Sequence, residues 1–272
     1  MQNFSISPVQ MIRSFTTHRE LIWAMTKREV IGRYRGSMLG ILWSFFNPVL
    51  MLSVYTFIFS VVFKARWNGT SDSKTEFAVV LFAGMIVFSL LAECINRAPS
   101  LIISNVNYVK KVVFPLEILP WVSLGSTFFH TLISLTVWLV FYLVIHQSVQ
   151  STIIFLPLIL LPLMMFAMGI SWFLSALCVY LRDMAQTVSI VTTILMFLSP
   201  VFYSVASLPP EYRPFIYANP LTFVIEQARS VLIWGVMPDW LMLGIYTLAS
   251  AIICWLGFAW FQKTRRGFSD VL

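Results

Sequence analysis

Nothing between Glu117 and Arg182 carries a full charge at neutral pH. Residues 118–181 are 64 positions in a row without Asp, Glu, Lys or Arg. The only polar interruption is the short patch His146-Gln147-Ser148-Val149-Gln150-Ser151-Thr152. A helix needs about 20 consecutive apolar residues to cross the hydrocarbon of a bilayer. The stretch therefore reads as two membrane spans joined by a tight turn, and the chain as an integral membrane protein. Composition agrees. Charged residues make up 11% of the chain, against about 25% in soluble domains.

Six segments have the character of a span: 40–63, 77–95, 118–145, 153–181, 185–203 and 240–261. Backbone groups in lipid must bond within their own segment, so each is expected to be helical. The expected fold class is an all-α membrane protein of six transmembrane helices. An N-terminal interfacial helix precedes them, and short re-entrant outer-face helices lie between helices five and six. With the N-terminus cytoplasmic, 13 of the 18 Lys and Arg residues fall inside, and the outside loops are neutral. Cytoplasmic loops carry the Lys/Arg excess, so both termini are expected in the cytoplasm and the chain in the plasma (inner) membrane. The net charge of +7 does not indicate nucleic acid, because the cations lie between apolar spans. Cys94, Cys178 and Cys254 sit inside apolar segments without paired spacing and read as small buried hydrophobes. The first apolar run starts too far in for a secretory leader.

Four connecting segments stand out. Residues 10–28 read as an interfacial helix, with Ile12, Phe15, Ile22 and Met25 on one face and Arg13, Glu20 and Lys27 on the other. A soluble helix packed on a partner is the competing reading. The run from Lys27 to Ser37 places Arg33 and Arg35 directly before the first span. It is either a topology signal that attracts anionic lipid or a dock for an anionic lipid headgroup. The segment from Ser100 to Pro120 has a polar surface at Asn105, Asn107, Lys110 and Lys111, and reads as a contact point for a soluble partner or as a plain connector. Residues 204–239 hold five prolines and apolar runs too short to cross, as in re-entrant or interfacial helices.

Chemistry is sparse. No G-x-x-x-x-G-K-[ST] loop occurs, so the chain has no P-loop for ATP. No H-E-x-x-H or G-x-S-x-G occurs either, and no metal site or catalytic residue is expected. Of the three histidines only His130 lies within a span. It reads as a structural side chain before a catalytic base. Glu93 and Arg97, four apart, are expected to pair with each other. Buried acids that could hold a coupling ion are lacking, which argues against a proton- or sodium-driven carrier. What remains is a membrane body with cytoplasmic surfaces and no energy source of its own.

Four motifs, in order, carry a resemblance: the run from Arg33 to Pro48 (RYRGSMLGILWSFFNP), the run from Lys110 to Pro120 (KKVVFPLEILP), Tyr180-Leu181-Arg182-Asp183, and the late Pro209-Pro210…Asn219-Pro220 region. Together they resemble the ABC-2-type permeases of polysaccharide exporters, those of O-antigen, capsule and teichoic acid. The resemblance covers essentially the whole chain. It implies a homodimer bound to two cytoplasmic ATPase subunits, which hold ATP and magnesium, while this chain holds no cofactor. It implies a gate helix within residues 1–38, a transmembrane domain over 39–263 and a cytoplasmic tail over 264–272. A coupling loop would lie at about 100–116 and an outer gate at about 204–239.

A lipid-linked polysaccharide would dock its headgroup at Arg33 and Arg35. Asn107, Lys110, Lys111 and Glu117 would meet the ATPase. Spans one and five would line the channel, with Trp43, Phe46, Tyr55, Phe59, Phe197 and Tyr203 facing the cargo, since sugar C–H faces pack on aromatic rings. Aromatic residues at membrane interfaces or facing lipid are the competing reading of these rings. Besides a purely structural membrane subunit, two alternatives in function stay open. One is an ABC-2 permease for a small lipid or drug. The other is an integral-membrane acyltransferase using His130, which would need an acid or asparagine beside it that its own span does not supply.

Overall fold

The computed structural model describes residues 5–62, 74–110 and 114–272, and every regular element among them is helical. Helices α1 (Pro8–Thr17) and α2 (Arg19–Gly32) replace the single N-terminal helix expected over 10–28, because the backbone breaks at His18 (φ −106°, ψ 17°). Helix α3 (Trp43–Tyr55) follows a 3-10 turn and widens into a π-turn over Thr56–Val62. Helix α4 (Lys74–Arg97) leads to two short helices, α5 (Ser100–Ile103) and α6 (Val106–Lys110). Helices α7 (Leu119–His146) and α8 (Leu156–Tyr180) form the long uncharged pair. Between them Gln147 adopts a left-handed conformation (φ 56°), which closes the tight turn at the polar patch. Helices α9 (Met184–Leu198), α10 (Arg213–Tyr217), α11 (Pro220–Arg229), α12 (Trp240–Thr264) and α13 (Phe268–Val271) complete the chain.

Five helical stretches are long and apolar enough to cross a membrane: Gly40–Phe59, Thr75–Arg97, Leu116–His146, Ser151–Tyr180 and Trp240–Val271. The segment expected as the fifth of six spans is shorter than the sequence suggests. Helix α9 has 15 residues, which at about 1.5 Å each gives about 22 Å against a hydrocarbon core of about 30 Å. Proline sets its end. Pro200 disfavours helical backbone at the residue before it, and Ser199 is extended (φ −90°, ψ 146°).

Helix α4 is the centre of the bundle. Over residues 77–88 it is apolar on every face, as a buried helix must be, and Ala78, Val79, Val80, Leu81 and Leu90 are inaccessible. Helices α3, α7, α8, α9 and α11 pack around it. The Trp138 indole N–H in α7 donates to the Val79 carbonyl at 3.0 Å and ties the two helices together at one level. Helices α8 and α12 make the closest crossing. A Cβ on Gly169 would lie 2.5 Å from the Ile253 carbonyl oxygen, and one on Gly257 would strike the Gly169 carbonyl. Small residues permit this approach in lipid, where no water drives helices together. By contrast α3 buries only Ser44 and Leu52, and α9 only Val188 and Thr192. These two helices flank α4 and leave most of their apolar surface uncovered within one chain.

Candidate functional site

One end of the bundle gathers the cations, and there the charges are paired across helices rather than along them. Arg33, just past α2, pairs with Glu93 of α4, and Arg97 of α4 pairs with Glu29 of α2. Glu93 and Arg97 approach each other at only 3.6 Å, so the expected i,i+4 pair is the weaker contact of the four-charge chain. The N-terminal segment is thereby tied to the end of α4 by two ion pairs. Arg35 lies on the exposed turn that Gly36 closes at φ +89°. Between the two arginines, burial pushes the Tyr34 hydroxyl above its usual range, with Arg33 opposing.

At the foot of α7, Glu117 is buried (8% exposed). Its carboxylate takes Arg265 Nη1 at 2.5 Å, and its carbonyl takes the Trp172 indole N–H at 3.0 Å. Arg265 Nη2 also donates to the Phe114 carbonyl at 2.9 Å. This links three segments: the start of α7, the middle of α8 and the end of α12. Asn107 and Lys110 are exposed on α6, while Lys111 lies outside the described residues. Tyr108 of α6 stacks on Phe114 at 4.4 Å and accepts a hydrogen bond from Arg28 at 3.1 Å. The surface helix is thus fastened to α2 and to the entry of α7.

Above the charge chain lie two adjoining cavities, which share Arg33, Ser89 and Glu93. One, of about 830 Å³, is lined by Glu29, Asn96, Arg97 and Ser126. The other, of about 230 Å³, lies between α3, α4 and α7 and is lined by Ser44, Asn47, Tyr55, His130, Thr131 and Ser134. Pro48 lines it too. It removes the N–H that the Ser44 carbonyl would accept in a regular helix. The sequence did not reveal this cavity, because its polar residues are spread singly over three spans. Their spacing was the available signal: Ser89, Glu93 and Asn96 share one face of α4, and Ser126, His130 and Ser134 follow one face of α7.

At the opposite end, Arg229 is fully buried and was not recognised from sequence. Its guanidinium donates to the carbonyls of Val80 (3.1 Å), Pro200 (2.6 Å) and Val201 (2.8 Å), and to Glu226 at 3.2 Å. It satisfies backbone carbonyls beyond the end of α9, where Pro200 has broken the helix. Burial lowers its pKa to about 10, with Glu226 opposing, and burial raises that of Glu226, with Arg229 opposing. The only hint was a Glu–Arg pair three apart inside an otherwise apolar run. Around it, Leu221, Val224, Ile225, Ala228 and Val231 are inaccessible. The apolar runs of this segment therefore pack on protein.

The aromatic residues divide. Phe59 stacks on Phe77 (5.3 Å) and Phe202 (5.9 Å), and Phe202 stacks on Phe197 (6.0 Å). Tyr203 donates to the Phe197 carbonyl at 3.3 Å. These rings form one ladder across the ends of α3, α4 and α9 that lie away from the charge chain. Trp43 and Phe46 stand exposed on α3, and Tyr55 is half-buried in the smaller cavity.

An all-helical body with five helices long and apolar enough to cross a membrane, paired charges at one end and a polar cavity between α3, α4 and α7 defines the class, a polytopic membrane protein. The chain belongs to the ABC-2 type transporter family, whose model matches residues 20–233. It is 25% identical over 264 residues to the O-antigen export system permease protein RfbA of Myxococcus xanthus, covering 96% of this chain and 99% of that protein. A protein of the same name from Klebsiella pneumoniae is 26% identical over 254 residues (93% and 95%). The polysialic acid transport protein KpsM of Escherichia coli is 24% identical over 260 residues (93% and 96%).

Proposed function

We propose that the chain is the permease of an ATP-driven exporter that moves a lipid-linked polysaccharide, O-antigen in the first instance, across the inner membrane. The observation that carries this is full-length similarity to permeases named for polysaccharide export, 96% of this chain against the Myxococcus protein. The uncovered faces of α3 and α9 support it. Two copies meeting through these faces would enclose a channel, with the Phe59–Phe202–Phe197 ladder and Tyr203 at its outer end and Trp43 and Phe46 at its inner end. Helix α9 would complete a sixth crossing together with the turn that follows it at Ser199, and α10 and α11 would form the re-entrant outer gate around Arg229.

The basic end faces the cytoplasm in this reading, by the Lys/Arg excess, and both termini lie there. A separate ATPase docks on α6 through Asn107, Lys110 and Lys111, with Glu117 holding that surface in place through Arg265. The exposed Arg35 meets the lipid headgroup first, and Arg33 follows as Glu93 releases it. An acyltransferase finds less support, since among the described residues no acid or asparagine hydrogen-bonds His130 to orient it as a base.

Co-expression with a candidate ABC ATPase subunit from the same genome tests the proposal. The two should purify as one complex, and Lys110→Glu should weaken the association while membrane insertion is kept. A chain that purifies alone and leaves ATPase turnover unchanged would contradict it.

A further inference from the structure

We propose that the smaller cavity between α3, α4 and α7 is a single-sugar subsite within each protomer, which reads the first glycosyl unit of the lipid-linked cargo; the proposal rests on the exporter reading above. The volume sets the scale. At about 230 Å³ the cavity falls below the roughly 300–1,000 Å³ of pockets that enclose drug-sized ligands, so it takes one ring rather than a chain.

The chemistry of the lining points to a neutral polyol. Its cation, Arg33, is neutralised by Glu93, and the nearby Arg97 by Glu29. Beyond the Arg33–Glu93 pair the lining offers an anion no lysine or arginine, whereas hydroxyl groups need only donors and acceptors. The lining supplies both: the Asn47 amide, the hydroxyls of Thr131, Ser134 and Tyr55, and the Tyr34 ring for a C–H face. Two further groups await a partner. His130 Nε2 and, in the adjoining cavity, Ser126 Oγ are buried with no hydrogen-bond partner. Buried polar groups are ordinarily satisfied, and a ligand rich in hydroxyls would satisfy these.

Position fits the same occupant. The cavity opens next to the Arg33–Glu93 pair, so a lipid whose phosphates sit at that pair would place its first sugar one step deeper between the helices. The subsite belongs to one chain and is separate from the channel proposed between copies.

Binding of two radiolabelled lipids to the purified permease–ATPase complex in nanodiscs tests this. One probe is a polyprenyl diphosphate carrying a single hexose, the other the same lipid without sugar. The hexosyl lipid should bind about tenfold more tightly. Ser134→Leu, which fills the cavity, and Tyr55→Phe, which removes one hydroxyl and keeps the ring, should each erase most of that margin and leave the bare lipid unaffected. Tyr55→Phe also guards against misfolding of the bulkier variant. Equal affinity of the two lipids, or a margin that survives both substitutions, would overturn the subsite alone. Weaker binding of the bare lipid in Ser134→Leu would make the cavity a phosphate site and overturn it as well. Failure of either lipid to bind the intact complex would overturn both the subsite and the exporter reading.

Discussion

Arg265 and Glu117, 148 positions apart in sequence, meet at 2.5 Å and close the basic end of the bundle. Both side chains are nearly buried, at 12% and 10% exposure. Leaving one member of such a pair unpartnered costs about 3–5 kcal/mol, while replacing both is often close to neutral. Arg265→Met alone should therefore lower the thermal unfolding midpoint of the detergent-purified protein. Arg265→Met with Glu117→Gln should recover most of the loss. Additive losses in the double variant would show that the two do not act as a pair.

The α8–α12 crossing depends on two glycines. Gly257→Ala drives a methyl into the Gly169 carbonyl. Overpacking of this kind costs about 1–3 kcal/mol or more, so the variant should accumulate poorly and melt early. Gly244→Ala, on the same helix with nothing within 4 Å, is the control. It should match or slightly exceed the parent, since Gly costs roughly 0.5–1 kcal/mol in a helix relative to Ala. Yield and melting temperature of the two variants decide the matter.

Arg229 joins helix α4 to the turn after α9 by geometry as well as by charge. Lysine keeps the charge but lacks the planar fork of donors. Arg229→Lys should leave at least one of the Val80, Pro200 and Val201 carbonyls unsatisfied, at about 1–3 kcal/mol each. Limited proteolysis at 204–219 should accelerate while the long helices stay protected. Unchanged cleavage would mean that other groups hold the segment.

Arg33 and Arg35 should behave differently. Arg35→Gln removes an exposed cation, worth about 1 kcal/mol of attraction to anionic lipid, and should lower export without altering stability. Arg33→Gln also frees Glu93, so it should lower stability too, and Glu93→Gln should restore that part. Export assays and melting curves on the single and double variants separate the two effects. Equal behaviour of both arginines would contradict the assignment.

Much of this was legible because membrane spans are written in long apolar runs. The pair 118–145 and 153–181 and its turn at His146–Thr152 are found within two residues in α7 and α8 and their flanking 3-10 turns. The length of α9 was not legible: an apolar run does not show where Pro200 ends a helix. The N-terminal helix divides at His18, which no proline or glycine marks. The paired charges escaped because an i,i+4 reading looks along one helix, whereas Arg33–Glu93 and Arg265–Glu117 join segments distant in sequence. Arg229 lies within 204–239, which reads from sequence as a connecting segment, and only packing shows that its carbonyl partners make burial tolerable.

The central claim is that this membrane body is passive and that its motive force comes from a separate nucleotide-hydrolysing subunit. The direct measurement is transfer of a labelled lipid-linked glycan across proteoliposomes holding the chain with or without its ATPase. Transfer should appear only with both proteins and ATP, and vanish when hydrolysis is blocked. Transfer by the chain alone, or transfer that continues without hydrolysis, would contradict the account.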